Sequence, residues 1–264
     1  MKRHELLAAL HQILAPRTYL EVGVNNGSSL ALSRVPSVAI DPAYGITKEI
    51  HTEAHLERTS SDEFFARPNP LERLPIPVLD LAFIDGMHLS EFALRDFINV
   101  ERWTTPASVV VFDDMLPRNV TQAARDRHSK AWTGDVYKVA EALRRWRPDL
   151  VVLELDTAPT GTLMVLVPDA RNTVLRERYE TLVTEMVTPD PQDVPREVLR
   201  RTRAVDPEQL LKAPFWEGWS RLRDRTRPVT AADVREWLQL GGIDAFLPRA
   251  QRQDATTMTE GSLS

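Results

Sequence analysis

Along the chain, short runs of consecutive apolar residues alternate with stretches in which apolar positions recur every three or four residues. The first pattern is that of buried strands, the second that of one helix face. "TYLEVGV" (Thr18 to Val24) and "SVAIDP" (Ser37 to Pro42) read as short strands, and a weaker one is expected around His55 to Thr59. "VLDLAFID" (Val78 to Asp85) and "ASVVVFDD" (Ala107 to Asp114) are nearly continuous apolar runs, as in strands covered on both faces of a parallel sheet. Between the strands, helices are predicted from Leu6, Leu10, Ile13 and Leu14, in "NNGSSLALSRV" and "SSDEFFAR", from Leu89, Ala93, Phe97 and Val100, and over Asp135 to Arg147. "LVVLELD" and "GTLMVLVP" are separated by only "TAPT", so they must pair as an antiparallel hairpin.

Five strand–helix repeats and a terminal hairpin give an α/β fold: a doubly wound, seven-stranded, mostly parallel sheet of Rossmann-like type. The apolar periodicity supports this domain over residues 1–168. Residues 169–250 read as charged helices with aromatic anchors, a helical appendage that packs on the core, caps a site or dimerises. Its "PFWEGW" is either a homo-oligomer interface or an intramolecular anchor. The polar tail, 251–264, is predicted to be disordered.

Composition narrows the class. Apolar residues make up 42% and charged residues 27%, with a net charge of −5 and a pI near 5.8. That is an ordinary globular balance, and its acidity argues against nucleic-acid binding, which needs clustered Lys and Arg. Cysteine is absent, which excludes thiol nucleophiles, disulfides and cysteine-ligated zinc. No apolar run approaches a membrane span, and His11 and Gln12 interrupt what resembles a signal peptide, so the chain reads as soluble and cytoplasmic.

The chemistry gathers where such a fold places ligands, beyond the carboxyl ends of the strands. Glu21 and Gly23 end the first strand, Asp41 the second, Asp85 the fourth, and Asp113 with Asp114 the fifth. "EVGVNNGSS" lacks the G-x-G-x-x-G spacing of a dinucleotide loop, and an acid before its glycines suits an amino-bearing ligand better than a phosphate. Asp41 is placed to take both hydroxyls of a ribose; singly, these residues are also ordinary turn formers and strand-end caps. Three neighbouring carboxylates, Asp85, Asp113 and Asp114, repel one another unless a cation or a hydrogen-bond network compensates, and hard oxygen ligands suit Mg²⁺ or Mn²⁺. His88, three residues after Asp85, can point its ring into the same cleft and accept a proton, though a lone histidine is usually structural. The long loop before Trp132 has the length of a lid.

Together, "YLEVGVNNGSSL", "AIDP", "LAFIDGMH" and "VVVFDDMLP" resemble the class I S-adenosylmethionine-dependent methyltransferases, and within them the macrocin-type sugar and natural-product O-methyltransferases. The resemblance implies S-adenosyl-L-methionine as cofactor, held by Glu21, Gly23, Asn25 and Gly27 at its methionine end and by Asp41 at the ribose, with Ser28 also among the cofactor-binding residues. It places Ser60, Ser61 and Asp62 at the adenine, with Asp85, Gly86 and His88 also beside the cofactor. The spacing is also similar to cation-dependent catechol-type O-methyltransferases, which implies Mg²⁺ on Asp85, Asp113 and Asp114. There His88 stands where that family has a lysine base, and Asp114 where it has an asparagine. The implied reaction is methyl transfer to a hydroxyl of a sugar or other small acceptor, with Asp85 and His88 catalytic. Metal-independent N-methylation and a non-catalytic partner protein on the same scaffold are the alternatives.

Overall fold

The computed structural model describes residues 1–128, 130–223 and 227–247; the predicted disordered tail lies outside them. The apolar runs form one seven-stranded sheet: β1 (Tyr19–Val22), β2 (Ser37–Ile40), β3 (Ala54–Glu57), β4 (Leu79–Ile84), β5 (Thr104–Phe112), β6 (Val151–Leu155) and β7 (Thr162–Leu166). Their order is β3-β2-β1-β4-β5-β7-β6, with β7 antiparallel to both β5 and β6 as the short connection requires. Ten α-helices lie among the described residues: α1 (Arg3–Leu14), α2 (Ser61–Phe65), α3 (Ser90–Glu101), α4 (Lys138–Trp146), α5 (Val174–Glu177), α6 (Tyr179–Met186), α7 (Arg196–Leu199), α8 (Pro207–Leu211), α9 (Trp219–Arg223) and α10 (Ala231–Leu240). None is long and apolar enough to cross a membrane.

Register lines up the chemistry. Val22 pairs with Ile40 and with Ile84, and Ile84 pairs with Phe112. The next residue in each strand is therefore Gly23, Asp41, Asp85 or Asp113, so all four arrive at one edge of the sheet.

Strand side chains alternate between two faces, and each face has its own core. Leu20, Val22, Ile40, Ala82, Ile84, Val110 and Phe112 pack against Phe64, Phe65, α3, α4 and α6. Tyr19, Ala39, Leu81, Phe83, Val109 and Val111 pack against α1 and the C-terminal segment.

That second face departs from the expected repeats. The stretch predicted as a helix after β1 is a single 3₁₀ turn, Leu30–Leu32, and no helix follows β2. The reason is local. Asn26 Oδ1 accepts from both Ser28 N and Ser28 Oγ, while the carbonyls of Asn25 and Asn26 accept from Gly45 N and Thr47 N. The backbone groups a helix would use are bonded to the next loop instead. The surface those helices would cover is filled by α1 together with Leu210, Phe215, Trp216, Trp219, Leu222, Val234 and Leu238. Trp219 donates its indole N–H to the Ala107 carbonyl at 2.9 Å. "PFWEGW" is thus an anchor within the chain, buried in its own core.

Candidate functional site

The strand ends open into a cleft of about 670 Å³, lined by Arg3, Gly23, Asn25, Asp41, Ala43, Asp85, Gly86, His88, Asp114, Trp132 and Thr160 among others. Its size is that of a small-molecule site. Three of these residues, none of them glycine, hold left-handed backbone: Asn25 at φ 49°, His88 at φ 58° and Asp114 at φ 61°. Such conformations cost of order 1–3 kcal/mol each and gather where function over-determines the backbone.

Gly23 has a steric reason to be glycine. Its φ is +88°, and a Cβ there would stand 1.9 Å from the Asp85 carbonyl oxygen, so β1 and β4 could not approach as they do. Beneath it lies Glu21, almost fully buried, whose Oε2 accepts from the Tyr19 hydroxyl at 2.8 Å while Oε1 has no hydrogen-bond partner. Burial pushes the Glu21 pKa up to about 8 against the Tyr19 bond, with Asp85 raising it further. A buried carboxyl with an unused oxygen beside a glycine turn is the arrangement an amino-bearing ligand would complete.

Asp41 receives Asn25 N at 2.8 Å and Ala43 N at 2.7 Å, one on each oxygen, and so is fixed facing the cleft. Gly27, at φ +81°, turns the same loop against Ile46 and Ile50. Ser28 bonds Asn26 and is not among the cleft-lining residues. Ser60, Ser61 and Asp62 also lie off the lining. Ser60 caps α2 through Glu63, Ser61 bonds Asp96, and Asp62 pairs with Arg95 at 2.5 Å.

The acidic edge is arranged differently from the expected trio of carboxylates. His88 stands between two of them, Nε2 3.3 Å from Asp85 and Nδ1 3.2 Å from Asp114, with the Trp132 carbonyl also 3.2 Å from Nδ1. Its ring stacks on Trp132 with centroids 5.2 Å apart. Burial pulls the His88 pKa down, but the Asp85 bond and the Asp114 charge outweigh it, and the net shift is upward. Asp114 is raised, chiefly by burial. Asp85, His88 and Asp114 each bring a ligand atom within 4.8 Å of the others, a set able to hold a cation. Asp113 does not join them: its Oδ2 accepts from the Arg3 guanidinium, which also stands 3.5 Å from Asp85. Mg²⁺ demands hard oxygens at free positions. The three carboxylates expected for it are divided, Asp113 held by Arg3, Asp114 by His88 and Asp85 between the two, so they do not form the free all-oxygen set that Mg²⁺ wants.

Trp132 reaches the cleft because Asp135 fastens its loop. Asp135 accepts from Ser90 N at 2.8 Å, at the start of α3, and from Arg125 at 2.7 Å, while α4, predicted to begin at Asp135, begins later, at Lys138. Arg125 pairs with both Asp135 and Glu91. Gly134 packs so closely that a Cβ would stand 1.6 Å from the His88 carbonyl. Sequence reasoning missed Arg3 and Thr160. "MKRHE" looks like any solvated helix start, and Thr160 sits in a connection read only for its length.

Residues 20–115 match a family model described as a methyltransferase domain. No curated protein sequence matches the chain. Among solved structures, the chain is similar to the O-methyltransferase from Bacillus cereus in complex with SAH, at 16% identity over 62% of this chain and 80% of that one, with a TM-score of 0.46. It is similar to the O-methyltransferase TomG from Streptomyces achromogenes, involved in tomaymycin synthesis, at 21% identity over 62% and 79% of the two chains and a TM-score of 0.44. It is also similar to SAH-bound methyltransferase PaMTH1 from Podospora anserina, at 14% identity over 63% and 78% and a TM-score of 0.46. Residues 20–115 are thus similar to a methyltransferase domain, and the sheet order with the strand-end residues in register agrees with that match.

Proposed function

We propose that the protein transfers the methyl group of S-adenosylmethionine to a hydroxyl of a small acceptor, a sugar or another natural product. The observation that carries this reading is the convergence of Gly23, Asn25, Asp41, Asp85 and His88 on one cleft at the carboxyl edge of the sheet, with the buried carboxyl of Glu21 just before it on β1. Glu21, Gly23 and Asn25 would hold the methionine end, Asp41 the ribose, and Asp85 and Gly86 the side facing the acceptor. Bound there, the cofactor supplies an electrophilic methyl on a sulfonium sulfur.

The chain's own part is positional and protolytic. His88, neutral with its proton on Nδ1 toward Asp114 and the Trp132 carbonyl, takes the proton of the substrate hydroxyl at Nε2, where Asp85 at 3.3 Å stabilises the imidazolium formed. Asp85 and Asp114 fix the plane of its ring through opposite nitrogens, and Trp132 covers one face of it. The wall made by Trp132 and Thr160 limits water at the point of transfer. Mg²⁺, expected from the sequence, has no step in this scheme because its oxygen ligands are otherwise engaged.

Labelled S-adenosylmethionine offered with a panel of sugar, phenolic and amine acceptors tests the reading. O-methylated product from a hydroxyl acceptor supports it. Methyl transfer confined to amines would replace it with N-methylation, and cofactor binding without transfer to any class would favour the scaffold alternative.

A further inference from the structure

Two carboxylates on neighbouring strand ends, Asp85 on β4 and Asp113 on β5, need a positive partner. In this fold it comes from the first turn of α1. A single nitrogen of Arg3, Nη1, donates to Asp113 Oδ2 and stands 3.5 Å from Asp85 Oδ2. The Asp113 side chain is only 2% exposed. A guanidinium cannot be deprotonated in a protein, so this charge is permanent.

Arg3 is also held in place. Leu6, Leu7, Leu10 and Leu14 bury α1 on the sheet. Just before it, the Met1 carbonyl accepts from Ala158 N at 2.9 Å, and Lys2 bridges Ala158 beside the cleft. Moving Arg3 off the carboxylates would therefore mean turning its side chain out of a fixed helix start and leaving Asp113 buried without its cation, a costly state.

Resting on the methyl-transfer reading of the same cleft, we propose that Arg3 is the resident cation of the acidic strand ends. It takes the place of a divalent ion, holds Asp85 toward His88 as a positioning residue, and closes the site to metals. Transfer by this protein is then metal-independent, and metal affinity is latent, released when Arg3 is removed.

Mn²⁺ titration followed by electron paramagnetic resonance tests this directly. All proteins would carry His128→Ala, to silence the exposed Asp126, His128 and Asp190 group that could also hold a cation. The protein with Arg3 intact is expected to bind no Mn²⁺ below millimolar concentration. Arg3→Ala should bind it at least about tenfold more tightly, Arg3→Lys should not, and adding Asp85→Asn to Arg3→Ala should abolish the gain. Micromolar Mn²⁺ binding with Arg3 in place, or no gain in folded Arg3→Ala, would overturn the proposal. If Arg3→Ala does not fold, the intact protein decides: micromolar Mn²⁺ binding overturns the proposal, and undiminished transfer in EDTA upholds it. S-adenosylhomocysteine titrated into each protein separates the two readings, because its binding can persist whichever way the Mn²⁺ result falls.

Discussion

His88 sits with one carboxylate on each ring nitrogen, in left-handed backbone, under a tryptophan. As a base it must be neutral, and its surroundings raise its pKa above the usual 6.5. The sign follows: lowering the pH through that raised value protonates the ring and removes the base. We predict an acid limb in kcat/KM against pH with its midpoint above 6.5, and His88→Gln should lower kcat by about 10²–10⁴-fold and erase that limb. An unchanged limb in the variant would assign it to another group. The residue types at this edge were legible in the sequence because carboxylates rarely end apolar strands without cause. The partition among them was not, since which oxygen meets Arg3 and which meets His88 is fixed by tertiary placement of α1 and of the loop before Trp132.

At the scale of elements, α3 carries a buried acid on its sheet-facing side. Asp96 receives a bond from Ser61 at the start of α2, yet burial raises its pKa from 3.8 to about 7. The unfolded chain gives up this proton near 3.8 and the folded chain near 7, so between those values the unfolded state binds fewer protons. Stability from this group is full below the lower value and is lost as pH rises through the upper one. Asp96→Asn should flatten that slope. Urea melts of both proteins at pH 4.5 and pH 8 should show the variant gaining on the parent by a few kcal/mol, to order of magnitude; an equal difference at both pH values would refute the assignment. The strands, the hairpin and α1, α3 and α4 were readable from periodicity alone. The missing helix after β1 was not, because "LALSRV" has a helical rhythm that side-chain and loop-to-loop bonds at Asn25 and Asn26 override.

Across the whole molecule, the C-terminal segment completes the sheet's second face rather than standing apart from it. Trp219 is 1% exposed and bonded to β5. We predict that Trp219→Ala costs about 3–5 kcal/mol of global stability, read as a shift of one cooperative urea transition. A separate early transition that leaves the sheet intact would instead make this segment an independent unit. Because that segment and α1 together fill the face where a helix was expected after β1, the strand-end cleft is built on a core packed on both faces of the sheet, with Arg3 delivered from α1. The central claim is that this edge binds S-adenosylmethionine. Calorimetric titration with S-adenosylhomocysteine tests it most directly, using the intact protein and Asp41→Ala. Micromolar binding to the first and at least about tenfold weaker binding to the second are expected, each with its fold intact by circular dichroism. No binding to the folded intact protein, or equal binding to both, would contradict it.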